Sequence, residues 1–180
     1  MKRVGLSILA VAAFLGLTIT PADSHDDDDK DRVLRADLKG FNENPTLSTT
    51  GRGSFRAKIN RHETEIEYRL NYSGLEADVL QAHIHFGTPH VNGGISVWLC
   101  GTTPGFPGPV GTPTCLPPGP GPEATGTITA ASVIGPAGQG ISAGEFAELI
   151  KAIRAGATYA NVHTTKYPGG EIRGQIHADD

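Results

Sequence analysis

From Val33 onward, apolar and polar residues alternate with a period of two over most of the chain. That spacing sends successive side chains to opposite faces of a β-strand. Ser54–Ile59 places Phe55, Ala57 and Ile59 on one face and Arg56 and Lys58 on the other. Glu65–Tyr72 repeats the pattern with Ile66, Tyr68, Leu70 and Tyr72, and Asn60-Arg61-His62-Glu63 between the two runs predicts a hairpin. Val33–Leu38 is an earlier strand, followed by breaks at Asn42-Glu43-Asn44-Pro45 and Thr49-Thr50-Gly51. Leu80–Phe86, Ile95–Cys100 and Thr125–Ala130 add three more strands, and Ala157–Thr164 with Glu171–Ala178 makes a last hairpin around Pro168-Gly169-Gly170. One stretch follows a different period. Ser142 and Glu145 have the spacing of a capping box, and Phe146, Leu149, Ile150 and Ile153 recur at helical intervals until Gly156. The pattern predicts an all-β, antiparallel sandwich or barrel of seven or eight strands, with one short helix near residues 143–155 over one end.

Composition fits this reading. Glycine (24) and proline (13) are abundant in 180 residues, and aromatic residues make up only 6%, which favours short strands joined by many turns. Residues 1–22 have the form of an export signal: Lys2-Arg3, an apolar run from Val4 to Leu17, and small residues at Thr20-Pro21-Ala22. An uncleaved anchor is the competing reading, but the run is shorter than the ~20 residues a spanning helix needs. Residues 23–32 are an acidic linker whose composition predicts disorder, and 33–178 form the single domain. Asp26 to Lys30 also spells the enteropeptidase recognition sequence, so a natural tether and an inserted one both fit.

The formal charge is −4, and removal of Lys2 and Arg3 with the presequence leaves 13 basic against 19 acidic residues. No basic stripe is present, which argues against a nucleic-acid partner. Export to a secreted or periplasmic location makes Cys100 and Cys115, the only cysteines, candidates for one disulfide across a Gly/Pro/Thr loop. Two free thiols or a two-cysteine metal site are the rival readings, and the absence of a CxxC spacing weakens both.

The chemistry-bearing pattern is Ala82-His83-Ile84-His85-Phe86. Ala82, Ile84 and Phe86 take one face, leaving two imidazoles together on the other. Their Cα atoms would lie roughly 6–7 Å apart on an extended strand, within reach of one metal ion. A third histidine, His163, ends Tyr159-Ala160-Asn161-Val162-His163 on the polar side of its strand, while His90 follows the pair in a loop and His177 shares the outward face of the last strand with Glu171, Arg173 and Gln175. Three or four imidazoles without a thiolate suit copper or zinc. The plain alternative is that these histidines hydrogen-bond turns and neighbouring strands. Glu171 and Arg173 read as outer-face residues available for ion pairs. Trp98 and Tyr167 are single aromatics that would mark a binding patch if exposed.

Asn42-Glu43-Asn44-Pro45, Ala82-His83-Ile84-His85, Asn92-Gly93-Gly94, Gly126-Thr127-Ile128-Thr129, and Asn161-Val162-His163-Thr164 with Tyr167-Pro168-Gly169-Gly170-Glu171-Ile172-Arg173-Gly174-Gln175 together resemble the CHRD (chordin) domain family. The family occurs in exported bacterial proteins and in a multidomain extracellular protein, and has no settled biochemical role. The resemblance implies a Greek-key β-barrel similar to that of the copper–zinc superoxide dismutases. In those enzymes a strand His-x-His and a later Val-His supply copper ligands, and His83, His85 and His163 look like those positions. The dismutase zinc loop has no match beyond His90. The expected function is an exported binding or structural module with a copper or zinc site built from His83, His85 and His163, completed by His90 or His177. The alternatives are a dismutase-like redox enzyme and a metal-free domain that binds an extracellular protein partner through sheet edges and the 101–123 loop.

Overall fold

The computed structural model describes residues 32–117 and 123–178. The expected export signal lies outside the described residues, as does the acidic linker up to residue 31. Among the described residues there are nine strands, beginning with β1 (Val33–Lys39), β2 (Arg52–Ile59), β3 (Ile66–Ser73), β4 (Val79–Phe86) and β5 (Gly94–Gly101). After the disulfide loop come β6 (Glu123–Ile128), helix α1 (Phe146–Arg154), β7 (Thr158–Thr164), β8 (Ile172–Gln175) and β9 (His177–Ala178). All neighbours pair antiparallel, in the spatial order β5-β4-β7-β8-β1-β2-β3-β6, with β9 on β1. The end strands β5 and β6 approach each other, and the Tyr68 hydroxyl of β3 donates to the Leu99 carbonyl at 2.5 Å. The sheet therefore curls into a nearly closed barrel, which leaves little edge exposed.

Period-two patterning explains the register. Phe55 faces Leu70 and Ile59 faces Ile66 across the β2–β3 hairpin, with Arg56 opposite Arg69 on the solvent side. The inward set, including Leu34, Leu38, Phe55, Leu70, Ile84, Leu99, Val162 and Ile172, forms one buried core. At roughly 1.5–3 kcal/mol per buried large side chain, this is the main stabilising contribution. Helix α1 buries Phe146, Leu149, Ile150 and Ile153 and lies near β9 at one end of the barrel. Its start differs from the expected box: the Glu145 carboxylate accepts the Ser142 N–H at 2.6 Å, but Glu145 itself is not helical and the helix begins only at Phe146. Gly156, at φ +63°, ends the helix by donating to the Ile153 carbonyl.

Cys100 and Cys115 are disulfide-bonded, closing the loop at its base. In the chain-entropy account a ring of this size contributes about 3 kcal/mol. Among the described residues, no helix is long and apolar enough to cross a membrane.

One departure from the expected pattern governs the rest of the molecule. Strand β7 is buried at every position, from Thr158 to Thr164, although it alternates apolar and polar. Ala160 and Val162 enter the core, whereas Tyr159, Asn161 and His163 point to the outer face and are covered there. The expected solvent-facing surface of β4, β7 and β8 is thus a second interior, polar in composition. Glu171 and Arg173 are buried in it, which corrects their reading as outer-face residues. The last strand also divides. Ile176 turns into the core between β8 and β9, and His177 pairs with Arg35 of β1 on the exposed side.

Candidate metal centre

Three imidazoles meet beneath the covering loops. His83 and His85 lie on β4, and His163 lies on the adjacent β7 opposite Gln81. Each offers a ring nitrogen such that all three lie within 4.8 Å of one another. The rings are not at the barrel surface, as alternation alone had implied: His83 is 0%, His163 6% and His85 9% exposed. Tyr159 stacks on His85 with ring planes 1° apart, and Trp98 meets His83 edge-on at 4.4 Å. Trp98 is only partly exposed and belongs to this cluster rather than to a free patch. Tyr167 is tied by its hydroxyl to Glu76.

Backbone carbonyls set the tautomers. His163 Nδ1 lies 2.9 Å from the Pro168 carbonyl, and His85 Nδ1 lies 2.9 Å from the Gly93 carbonyl. A carbonyl only accepts, so each Nδ1 carries the proton and each Nε2 is left with a bare lone pair. The Gly93 carbonyl is available because residue 93 has no side chain; a Cβ there would overlap the Phe86 carbonyl oxygen. His83 Nδ1 sits 3.1 Å from His163 Nε2, and in the neutral state it must be the donor. That leaves Nε2 of His83 and Nε2 of His85 buried with no hydrogen-bond partner. Burial holds all three imidazoles neutral. His83 is pushed down to about 2, first by desolvation and then by the charges of His163 and His85. His85 falls to about 4 through desolvation, partly opposed by its bond to Gly93. His163 is lowered by desolvation as well.

The supporting residues come from distant segments. Arg173 on β8 sits over Tyr159, its Cζ 3.4 Å from the ring centroid, and donates to the Thr88 and Val91 carbonyls and to Asn92 Oδ1. It fastens the loop that presents the Gly93 carbonyl. The Asn161 amide donates to Glu43 Oε1 at 2.5 Å, and desolvation raises the Glu43 carboxyl to about 7 against the opposing charge of Arg173. Gly170, at φ +130°, comes so close to Asn161 and Glu43 that a side chain would displace them; of the Gly169-Gly170 pair only this residue needs positive φ. Glu43 was legible only as part of a chain break and of a family block, since no local pattern shows that the 40–51 segment folds back over β7.

His90 and His177 are not in the three-histidine group. Both line a separate surface pocket with Arg35, Lys39 and Arg173.

A family model for the CHRD domain matches residues 34–176. The chain belongs to the CHRD domain family, and the nearly closed antiparallel barrel with its covered histidine face is the form that family takes here. No curated protein and no solved structure matches the chain.

Proposed function

We propose that this CHRD domain is an exported binding module that holds one copper or zinc ion with His83, His85 and His163. The observation that carries the reading is the pair of buried, unpartnered Nε2 atoms beside a third imidazole, all within 4.8 Å. A buried polar atom without a partner costs about 1–3 kcal/mol, and natural folds rarely leave two together. The donor set fits a cation. Histidine ligands whose other nitrogen donates to a carbonyl are the usual arrangement at metal sites, and neutral imidazoles without thiolate suit copper and zinc. When bound, the ion would satisfy the bare lone pairs and replace the His83–His163 hydrogen bond, taking up the His163 Nε2 lone pair and so cross-linking β4 to β7. Export is supported by the presequence pattern and by the Cys100–Cys115 disulfide, which fits an oxidising compartment.

Burial of the three rings favours holding a metal over turning over a substrate, because a redox catalyst needs an open path for its small-molecule partner. A second reading, docking of an extracellular protein on the disulfide loop, is favoured by the exposed side chains of Phe106 and Val110. The test is elemental analysis of untagged protein after exposure to copper or zinc, then of His83→Ala and His163→Ala. Stoichiometric metal in the parent and its loss in both variants is the expected result. Equal retention by folded variants excludes these ligands, and no binding by the parent under replete conditions leaves the docking reading.

A further inference from the structure

The surroundings of the three-histidine cluster limit the charge of the ion it can hold. Its donors are all neutral: among the described residues the group contains three imidazoles and no carboxylate or thiolate. Both buried carboxyls beyond it are engaged elsewhere. Glu43 accepts the Asn161 amide and is set against Arg173, and Glu171 accepts the Thr49 and Thr164 hydroxyls and the Glu76 N–H. The charge that reaches the cluster from outside is positive. Arg173 sits over Tyr159, Tyr159 stacks on His85, and the guanidinium opposes a positive charge on His85. Water reaches neither orphaned nitrogen, His83 Nε2 or His85 Nε2, and Trp98 closes on His83 edge-on at 4.4 Å.

Taking an ion out of water costs energy in proportion to the square of its charge, so a divalent ion loses about four times as much as a monovalent ion of the same size. Anionic ligands offset that loss by attraction, and neutral imidazoles offset far less of it. A zinc site with three histidines ordinarily keeps an open fourth position for a water, whose deprotonation lowers the net charge. The closed surroundings of His83 and His85 give solvent no such approach.

We infer that the cluster selects the cuprous ion over Cu(II) and Zn(II), with His83, His85 and His163 as uncharged donors and Arg173 as the neighbouring cation that disfavours a second positive charge. The inference rests on the metal reading of the same cluster and narrows it to one oxidation state. A domain that holds copper in its reduced form suits storage or transfer of the ion.

The experiment measures three dissociation constants on untagged, metal-free protein. Cu(I) competes with bicinchoninate under nitrogen, with ascorbate rather than a thiol as reductant so that the Cys100–Cys115 disulfide stays closed. Cu(II) and Zn(II) compete with nitrilotriacetate. Trp98 is the only tryptophan and lies against His83, so a change in its emission counts ions that enter the cluster and ignores those held by His25 and the aspartates at 26–29. Cu(I) should bind at least about a hundredfold more tightly than either divalent ion, and folded His83→Leu should lose at least about tenfold of that affinity. A Cu(II) or Zn(II) constant equal to that of Cu(I) or tighter overturns the selection and leaves the metal reading standing. Cuprous binding undiminished in folded His83→Leu overturns it as well. No change in Trp98 emission with any of the three ions removes both readings.

Discussion

Two buried polar clusters sit side by side on the outer face of this barrel, and they are built on opposite principles. Around Glu171 every need is met. Its Oε1 accepts the Thr49 hydroxyl at 2.7 Å and the Glu76 N–H at 2.9 Å, and its Oε2 accepts the Thr164 hydroxyl at 2.7 Å. Around His83 and His85 two ring nitrogens are left without partners at comparable depth. Residues that link the 40–51 connection and the 73–78 turn to β7 behave as structure, closing the cover over the sheet. The histidines sit under that cover with capacity to spare, which is the property of a site that awaits a ligand. Depth alone does not separate the two. Satisfaction does.

The largest test of the contrast is Glu171→Leu. It strands two hydroxyls and a backbone N–H, and at 1–3 kcal/mol for each stranded group the loss should reach roughly 3 kcal/mol or more. Urea unfolding measures it, and a cost below about 1 kcal/mol would show that the satisfied cluster is not structural. His83→Leu should behave the opposite way. In metal-free protein it removes one orphaned nitrogen at similar side-chain volume but strips His163 Nε2 of its donor, so one bare lone pair replaces another and stability should change by less than about 1 kcal/mol. With copper or zinc at a hundredfold excess over Kd, the parent should gain about 2.7 kcal/mol and His83→Leu nothing.

A pH series separates the histidines from their neighbour Glu43 by sign. The histidines titrate well below their ordinary 6.5, to about 4 for His85 and about 2 for His83, so the unfolded chain binds more protons in that window. The histidines' contribution to the stability of the metal-free protein is therefore full above pH 6.5 and is lost as the pH drops below it. Glu43 works in reverse: raised from 4.5 to about 7, it takes up its proton in the folded state first, so its contribution is lost as pH rises from 4.5 through 7. Each group changes the slope by at most about 1.4 kcal/mol per pH unit. Glu43→Gln should make the acid loss of stability steeper between pH 4.5 and 6.5, and an unchanged slope in denaturant titrations would refute the opposing role of Glu43. The smallest effect belongs to the solvent-exposed pair Asp37–Arg56, with side chains 71% and 49% accessible. Asp37→Asn should move stability by less than about 1 kcal/mol.

Strand positions were readable because alternation is a local property. Phe55, Tyr68 and Ile84 announce their face through neighbours one and two residues away, and so does the pairing of His83 with His85 on a common side. The third member was legible through the block Asn161-Val162-His163, whose resemblance to the CHRD family placed it before any geometry did. Alternation says only which side chains share a face. It does not say whether that face meets water.

What the chain determined by itself was an antiparallel sandwich or barrel and the three histidines as the candidate site, from short-range spacing and a motif; the disulfide was one of three readings of Cys100 and Cys115 and was decided by the structure. Only the tertiary structure decided that the site is interior. That outcome depends on the 40–51 and 87–93 segments returning over β7, held by Arg173, Glu43 and Glu171 through contacts that span 7 to 131 residues of chain. Long-range closure of this kind leaves no local periodicity, because its bonds join side chains to backbone carbonyls and to other side chains far off in the sequence.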